Sequence, residues 1–189
     1  YASIRALFLR ELQTRFGHYR IGYVWAILEP GTLIGLKLIV FSTIREKISP
    51  SIPFVLFLTV GICAFFMVMR TMTKNMSVVE SNKALFSYRN VKPIDAIIAR
   101  SFLECCLYFF CMTVFLTALA WSGVSINLSH IPFFLLTWVL LYVFAIGMGM
   151  VTAVIGNFSA EIGKFISSLM IIFYFMSGIV FSINSVPVE

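Results

Sequence analysis

Five stretches of mostly apolar residues, 24–44, 53–72, 101–121, 132–155 and 165–183, recur along the chain between shorter polar segments. Each has the roughly 20 residues that a helix needs to cross about 30 Å of hydrocarbon. None alternates with period two, as strands of a membrane barrel would. Helices also satisfy their own backbone polar groups where no water can reach them. The expected fold class is an all-α integral membrane protein with five transmembrane helices.

Residues 1–23 carry a different pattern. Ile4, Phe8, Leu12 and Tyr19 project within roughly 80° of one another on a helix, which predicts an N-terminal interfacial helix along the membrane surface. Glu11 and Arg15 fall in the same arc, so either they face a protein partner or the helix breaks near Gly17. The polar segment 73–100 is longer than a simple connection needs. In it Val79, Ala84, Leu85, Phe86 and Tyr88 interleave with Glu80, Asn82, Lys83 and Arg89. A short helix or pair of helices is expected there, presenting Leu85, Phe86 and Tyr88 to a partner or folding back on the bilayer. Pro93 restarts the chain, with Asp95 as N-cap of the next helix. Residues 157–163 read as a tight turn.

Charge gives these spans an orientation. Arg5, Arg10, Arg15, Arg20, Arg70, Lys74, Lys83, Arg89, Lys92, Arg100 and Lys164 fall on one side, against Arg45 and Lys47 on the other. The positive-inside rule then places the N-terminus in the cytoplasm. The net charge of +6 follows from this topology, and no nucleic-acid partner is indicated, because the arginines border lipid. With 60% hydrophobic and 12% charged residues and a mean hydropathy of +0.99, the composition excludes a soluble domain.

Charges within or beside the spans are the candidates for function, since a charge at membrane depth costs several kcal/mol on most scales. Lys37 stands near the middle of the first span. Arg100 and Glu104, four residues apart, are expected to form an ion pair at the inner end of the third. Gly31 and Gly35 suit close helix contact, as do Gly147, Gly149, Ala153 and Gly156. Cys63, Cys105, Cys106 and Cys111 lie inside spans without metal or disulfide spacing and read as small apolar residues. No catalytic or metal site is expected. The stretch Gly156 to Phe165 fails as a phosphate loop, because six residues separate its glycines and Phe165 replaces the hydroxyl residue. Any energy for transport must come from another chain or from an ion gradient.

Several segments together carry a family resemblance. They are Arg10-Glu11-Leu12 with Arg15-Phe16; Gly22-Tyr23-Val24-Trp25-Ala26-Ile27-Leu28-Glu29-Pro30; Asn82 to Phe86 leading to Val91-Lys92-Pro93-Ile94-Asp95 and Ala99-Arg100; and Phe175 to Ile179 before Val186-Pro187. In this order they resemble the membrane subunit of bacterial ATP-binding-cassette exporters of surface polysaccharide, above all the capsular polysaccharide export permeases.

The resemblance implies a six-span subunit of the bacterial inner membrane, of which this chain is a fragment. It would pair with a second copy and with two ATPase subunits that bind ATP and Mg²⁺, so that no cofactor sits on this chain. Periplasmic and outer-membrane export partners, a polysaccharide substrate and the lipid bilayer complete the implied partners. Arg10, Glu11, Arg15 and Phe16 would belong to an interface helix. Asn82, Leu85, Phe86, Tyr88 and Arg89 would form the coupling segment that docks on the ATPase. Trp25, Lys37, Tyr108, Tyr142 and Phe144 are candidates for the glycan path, since sugar C–H faces stack on rings, although Lys37 is not part of the family pattern. O-antigen and teichoic-acid exporters of the same superfamily are alternatives. A secondary transporter would need buried acids, approached only by Glu104, and a membrane-embedded transferase would need paired carboxylates or a metal motif.

Overall fold

A computed structural model describes residues 2–16, 28, 31–32, 34–37, 39–40, 54–87, 92–124 and 128–177. Every regular element among them is helical: α1 (Ala2–Phe16), α2 (Phe54–Asn75), α3 (Val78–Ser81), a 3-10 turn (Lys83–Ser87), α4 (Pro93–Trp121), a 3-10 turn (Leu128–His130), α5 (Ile131–Phe158) and α6 (Ala160–Met176). Helical residues also occur at 31–32, 34–37 and 39–40. Three helices are long and apolar enough to cross a membrane, over Val55–Asn75, Pro93–Trp121 and Ile131–Phe158. Most of the expected first span and the end of the expected fifth lie outside the described residues, as do Trp25, Tyr88 and Arg89 and the side chains of Arg15 and Phe16.

Several boundaries differ from the sequence expectation, each for a local reason. Helix α4 begins at Pro93 rather than near 101, because proline fits the first helical turn without a missing donor. Asp95 is therefore inside the helix, where its carboxylate accepts the Lys92 backbone N–H at 3.3 Å. At 29 residues α4 is about 43 Å long, more than the thickness of a bilayer core. The turn expected over 157–163 shrinks to Ser159, whose extended backbone separates α5 from α6 and whose hydroxyl accepts the Ile162 N–H at 3.4 Å.

Helix α2 packs on α4, α5 and α6 and forms the centre of the bundle. Its Leu58, Ile62, Cys63, Phe66 and Met67 join Cys105, Tyr108, Cys111 and Met112 of α4, Trp138 and Ala145 of α5, Tyr174 of α6 and Ile34 in one apolar core. Three of the four cysteines are buried here as free thiols filling small gaps. Outward, α5 exposes Leu136, Val139, Leu140 and Val143, a surface suited to lipid or to another helix.

The glycines of α5 set how closely it meets α2. A Cβ on Gly149 would fall against Asn75 and Thr71, and one on Gly156 would collide with the Met76 backbone. The stripe thus lets α5 ride against the end of α2 within one subunit. Gly147 faces open space, as does Gly35, whereas a Cβ on Gly31 would be 4.0 Å from Phe115.

Candidate functional site: a polar junction at the basic end of the bundle

A helix leaves its last four carbonyls without intrahelical donors. Helix α2 ends at Asn75, and its terminus is satisfied by side chains from two other helices. Thr152 of α5 donates its hydroxyl to Met72 O at 2.9 Å, and Arg100 of α4 donates Nη1–H to Lys74 O at 2.8 Å. Asn75 donates to Ser101 Oγ at 2.9 Å, and Ser101 donates to Ile97 O. A cation at a helix C-terminus is also favoured by the helix dipole.

Arg100 does more than cap α2. Its Nη2 donates to Ser81 Oγ at 3.2 Å, and its Nε lies 2.8 Å from Glu11 Oε1 of α1, an ion-pair contact without aligned hydrogen-bond geometry. The sequence spacing pointed to Glu104 as its partner, and the structure gives it Glu11. Side chains on a helix lean toward its N-terminus, so Arg100 reaches away from Glu104, toward α1. Glu104 itself is 1% exposed, one turn deeper in α4.

The second tie runs in parallel. Arg10 Nη1 donates to Asn82 Oδ1 at 2.8 Å, while Asn82 Nδ2 donates to Val78 O at 2.8 Å. Asn82 is 4% exposed, so it holds the bend between α3 and the 3-10 turn and ties that bend to α1. Under these polar contacts a small apolar cluster unites Leu7 of α1, Val78 of α3, Ala96, Ile97 and Ala99 of α4, and Ala153 of α5, with Ile4, Phe8, Leu85 and Phe86 packed at its edge. Phe8 also meets Phe102 with ring centroids 5.6 Å apart. Leu85 and Phe86 are therefore half-buried against this cluster, while Glu80, Ser81, Lys83 and Ala84 form the open side of the segment.

The candidate path residues do not share one surface. Tyr108 is 3% exposed and stacked on Phe66, a core position. Tyr142 is half-buried with its ring edge-on to Phe102, and Phe144 points outward. An apolar cavity of about 560 Å³ between α2, α4 and α5 is lined by Phe109, Met112, Leu116 and Phe134, with His130 among its polar groups, and contains none of these candidates. Lys37 contacts ring faces instead: its Nζ lies 4.2 Å from the Phe66 centroid and 3.6 Å from that of Tyr174. Among the described residues no cluster of His, Cys, Asp or Glu could hold a metal.

Sequence reasoning found the members of the junction but not their connection, and it overlooked Thr152 and Ser101. Their signal, a hydroxyl residue inside an apolar span, is weak because such a group often bonds its own helix, as Thr59 does with Val55 O.

Several known proteins are similar to this chain in sequence. The polysialic acid transport protein KpsM of Escherichia coli is 38% identical over 186 residues, 98% of this chain and 72% of its own length. The capsule polysaccharide export inner-membrane protein CtrC of Neisseria meningitidis serogroup A is 28% identical over 97% of this chain and 69% of its own. BexB of Haemophilus influenzae, of the same description, is 26% identical over 98% and 70%. The ABC-2 type transporter family matches residues 2–189, and this chain belongs to that family of multi-pass inner-membrane proteins.

Proposed function

We propose that this chain is the membrane subunit of an ATP-driven exporter that moves capsular polysaccharide across the bacterial inner membrane, working as a pair with itself and with two ATPase subunits. In this reading the basic end of the bundle faces the cytoplasm, α1 lies as an interface helix along that surface, and the sequence of this chain accounts for five spans. The relatives' names support the substrate class. The single observation that carries the mechanism is the double tie of α1, to the coupling segment through Arg10 and Asn82 and to the foot of α4 through Glu11 and Arg100.

That arrangement suits mechanical transmission. An ATPase pressing on the open side of the segment, at Lys83 and Ala84, meets an element already fastened to α1, α2 and α4. The load therefore passes to α4 and the end of α2 rather than bending a free loop. Packed helices respond as semi-rigid bodies, so a channel between two copies would change shape with each closure of the ATPases. Hydrolysis is chemistry of the partner, and this chain supplies the conduit and its linkage.

The test uses the full-length permease with its ATPase, in cells that make the glycan. Lys83→Glu, on an exposed residue, is expected to abolish surface glycan while membrane level and thermal stability stay unchanged. Full export by this variant and by Ala84→Asp would overturn the coupling assignment.

A further inference from the structure

The three long helices are tied at one end of the bundle and parted at the other. Near the junction Gly149 and Gly156 bring α5 against the end of α2, whereas at the far end a cavity of about 560 Å³ separates α2, α4 and α5. Leu56 and Val60 of α2 line it together with Phe109 and Met112 of α4 and Phe134 of α5. Met112 is buried, while Thr113 and Thr117 on the same wall are exposed, so the cavity opens on the side of the bundle, where bilayer lipid lies.

Its walls offer little to water or to a sugar. The hydroxyls of Thr113 and Thr117 are already bonded within their own helix, to Phe109 O at 2.9 Å and Val114 O at 2.8 Å. Apolar cavities without free polar partners stay dry, and an unfilled one forfeits dispersion contacts along its walls. Its length is that of one leaflet. Phe109 and Ala120 mark its extent along α4, about 16 Å at 1.5 Å of rise per residue, against about 15 Å for half of the hydrocarbon core. Its shallow end carries the groups of a lipid–water boundary: His130 lines the cavity there, and Trp121, next after Ala120, is 94% exposed.

We propose that this cavity is a binding site for a single phospholipid of the leaflet opposite the junction. One hydrocarbon tail lies along α4 and fills the gap between α2, α4 and α5, and His130 donates an imidazole N–H to the phosphate at the boundary. The tail completes the bundle at the end that side chains leave open. The lipid is a resident part of the fold, whatever the protein moves.

The full-length protein is purified in detergent until bulk lipid is gone, then titrated with phosphatidylethanolamine, once with long tails and once with tails too short to reach Phe109. The long-tailed lipid is expected to raise the melting temperature, with saturation at a single lipid per protomer. Thr113→Phe with Thr117→Phe narrows the cavity and is expected to weaken that binding by about tenfold. Val143→Phe, on the exposed face of α5, should leave it unchanged, and His130→Ala should weaken it severalfold. A response of the double variant equal to the parent's, or equal stabilisation by the short-tailed lipid, would overturn the tail site. So would a rise that never saturates, the behaviour of annular lipid only. An unchanged affinity in His130→Ala would overturn the headgroup contact.

A second measurement leaves the cavity walls intact. Trp138 is 7% exposed and packs on Phe109 and Phe134, with ring centroids 5.7 Å and 6.2 Å apart. With the other tryptophans replaced by Phe, phosphatidylethanolamine brominated along one tail is expected to quench Trp138, again with saturation at a single lipid per protomer. Quenching that appears only in bulk lipid excess would put the tail outside the cavity and overturn the proposal.

Discussion

Glu11 and Arg100 meet at 2.8 Å between the N-terminal helix and the foot of α4, although they belong to segments far apart in the chain. Arg100 is the more constrained of the two, since its side chain is 10% exposed against 25% for Glu11 and it also serves Lys74 O and Ser81. Removing one partner of a largely buried pair leaves the other charge uncompensated, at a cost of about 3–5 kcal/mol. Arg100→Ala is expected to approach that loss, because the α2 terminus loses its cap as well. Glu11→Gln should cost less, about 1 kcal/mol, since Glu11 is the more exposed partner and Arg100 keeps its bonds to Lys74 O and Ser81. Thermal unfolding in detergent of the two variants and their double mutant checks this. Additive effects would show that the two side chains act independently, contrary to the contact.

Two glycines of α5 give a paired test of close packing. Gly156→Ala puts a methyl group into the Met76 backbone and is expected to destabilise by about 1–3 kcal/mol, with reduced membrane level. Gly147→Ala meets open space and should be neutral or slightly stabilising, because alanine favours helix. Equal behaviour of the two, read by thermal unfolding, would mean that α5 does not lie on α2 at Met76.

Thr152→Val keeps the shape of the side chain and deletes the hydroxyl that reaches Met72 O. The expected loss is about 1 kcal/mol or somewhat more, because a buried carbonyl is left without its donor. Thr137→Val is the control, since that hydroxyl bonds only within its own helix, to Phe133 O, on an exposed face. Thermal unfolding should separate the two variants, with the control within about 0.5 kcal/mol of the parent.

The parts of the protein legible in the sequence were those written in local periodicity. The apolar runs of α2, α4 and α5 stand out because lipid demands length and hydrophobicity together, and the glycine stripe of α5 stands out because small residues recur at helical spacing. Arg100 shows where such reading stops. Helical spacing offers only neighbours three and four residues away, so it proposed Glu104, whereas the true partner comes from α1 through tertiary packing. Asn82 shows the same limit: its composition suggested an exposed docking segment, and its burial under Arg10 turns it into a joint. Asp95 was shifted by Pro93, whose preference for the first turn outweighed that of Asp for the cap.

Orientation is the last prediction, and the coupling mechanism depends on it. Lys83 is exposed beside the junction, and Ser122 is exposed at the opposite end of α4. If the basic end is cytoplasmic, a cysteine at 83 reacts with a membrane-impermeant maleimide only after spheroplasts are permeabilised, whereas one at 122 reacts in intact spheroplasts. The background is favourable, because Cys63, Cys105 and Cys111 are buried and only the exposed Cys106 needs replacement, by Ser. The positive-inside rule rests on the cluster of Arg and Lys near span ends, and here that cluster includes the same Arg10 and Arg100 that build the junction. With that orientation the two roles would be linked, because the basic residues retained on the inner side would be the ones placed to receive load from an ATPase there. Labelling of 83 from outside in intact spheroplasts would put the junction beyond reach of any cytoplasmic ATPase and overturn both the orientation and the coupling mechanism.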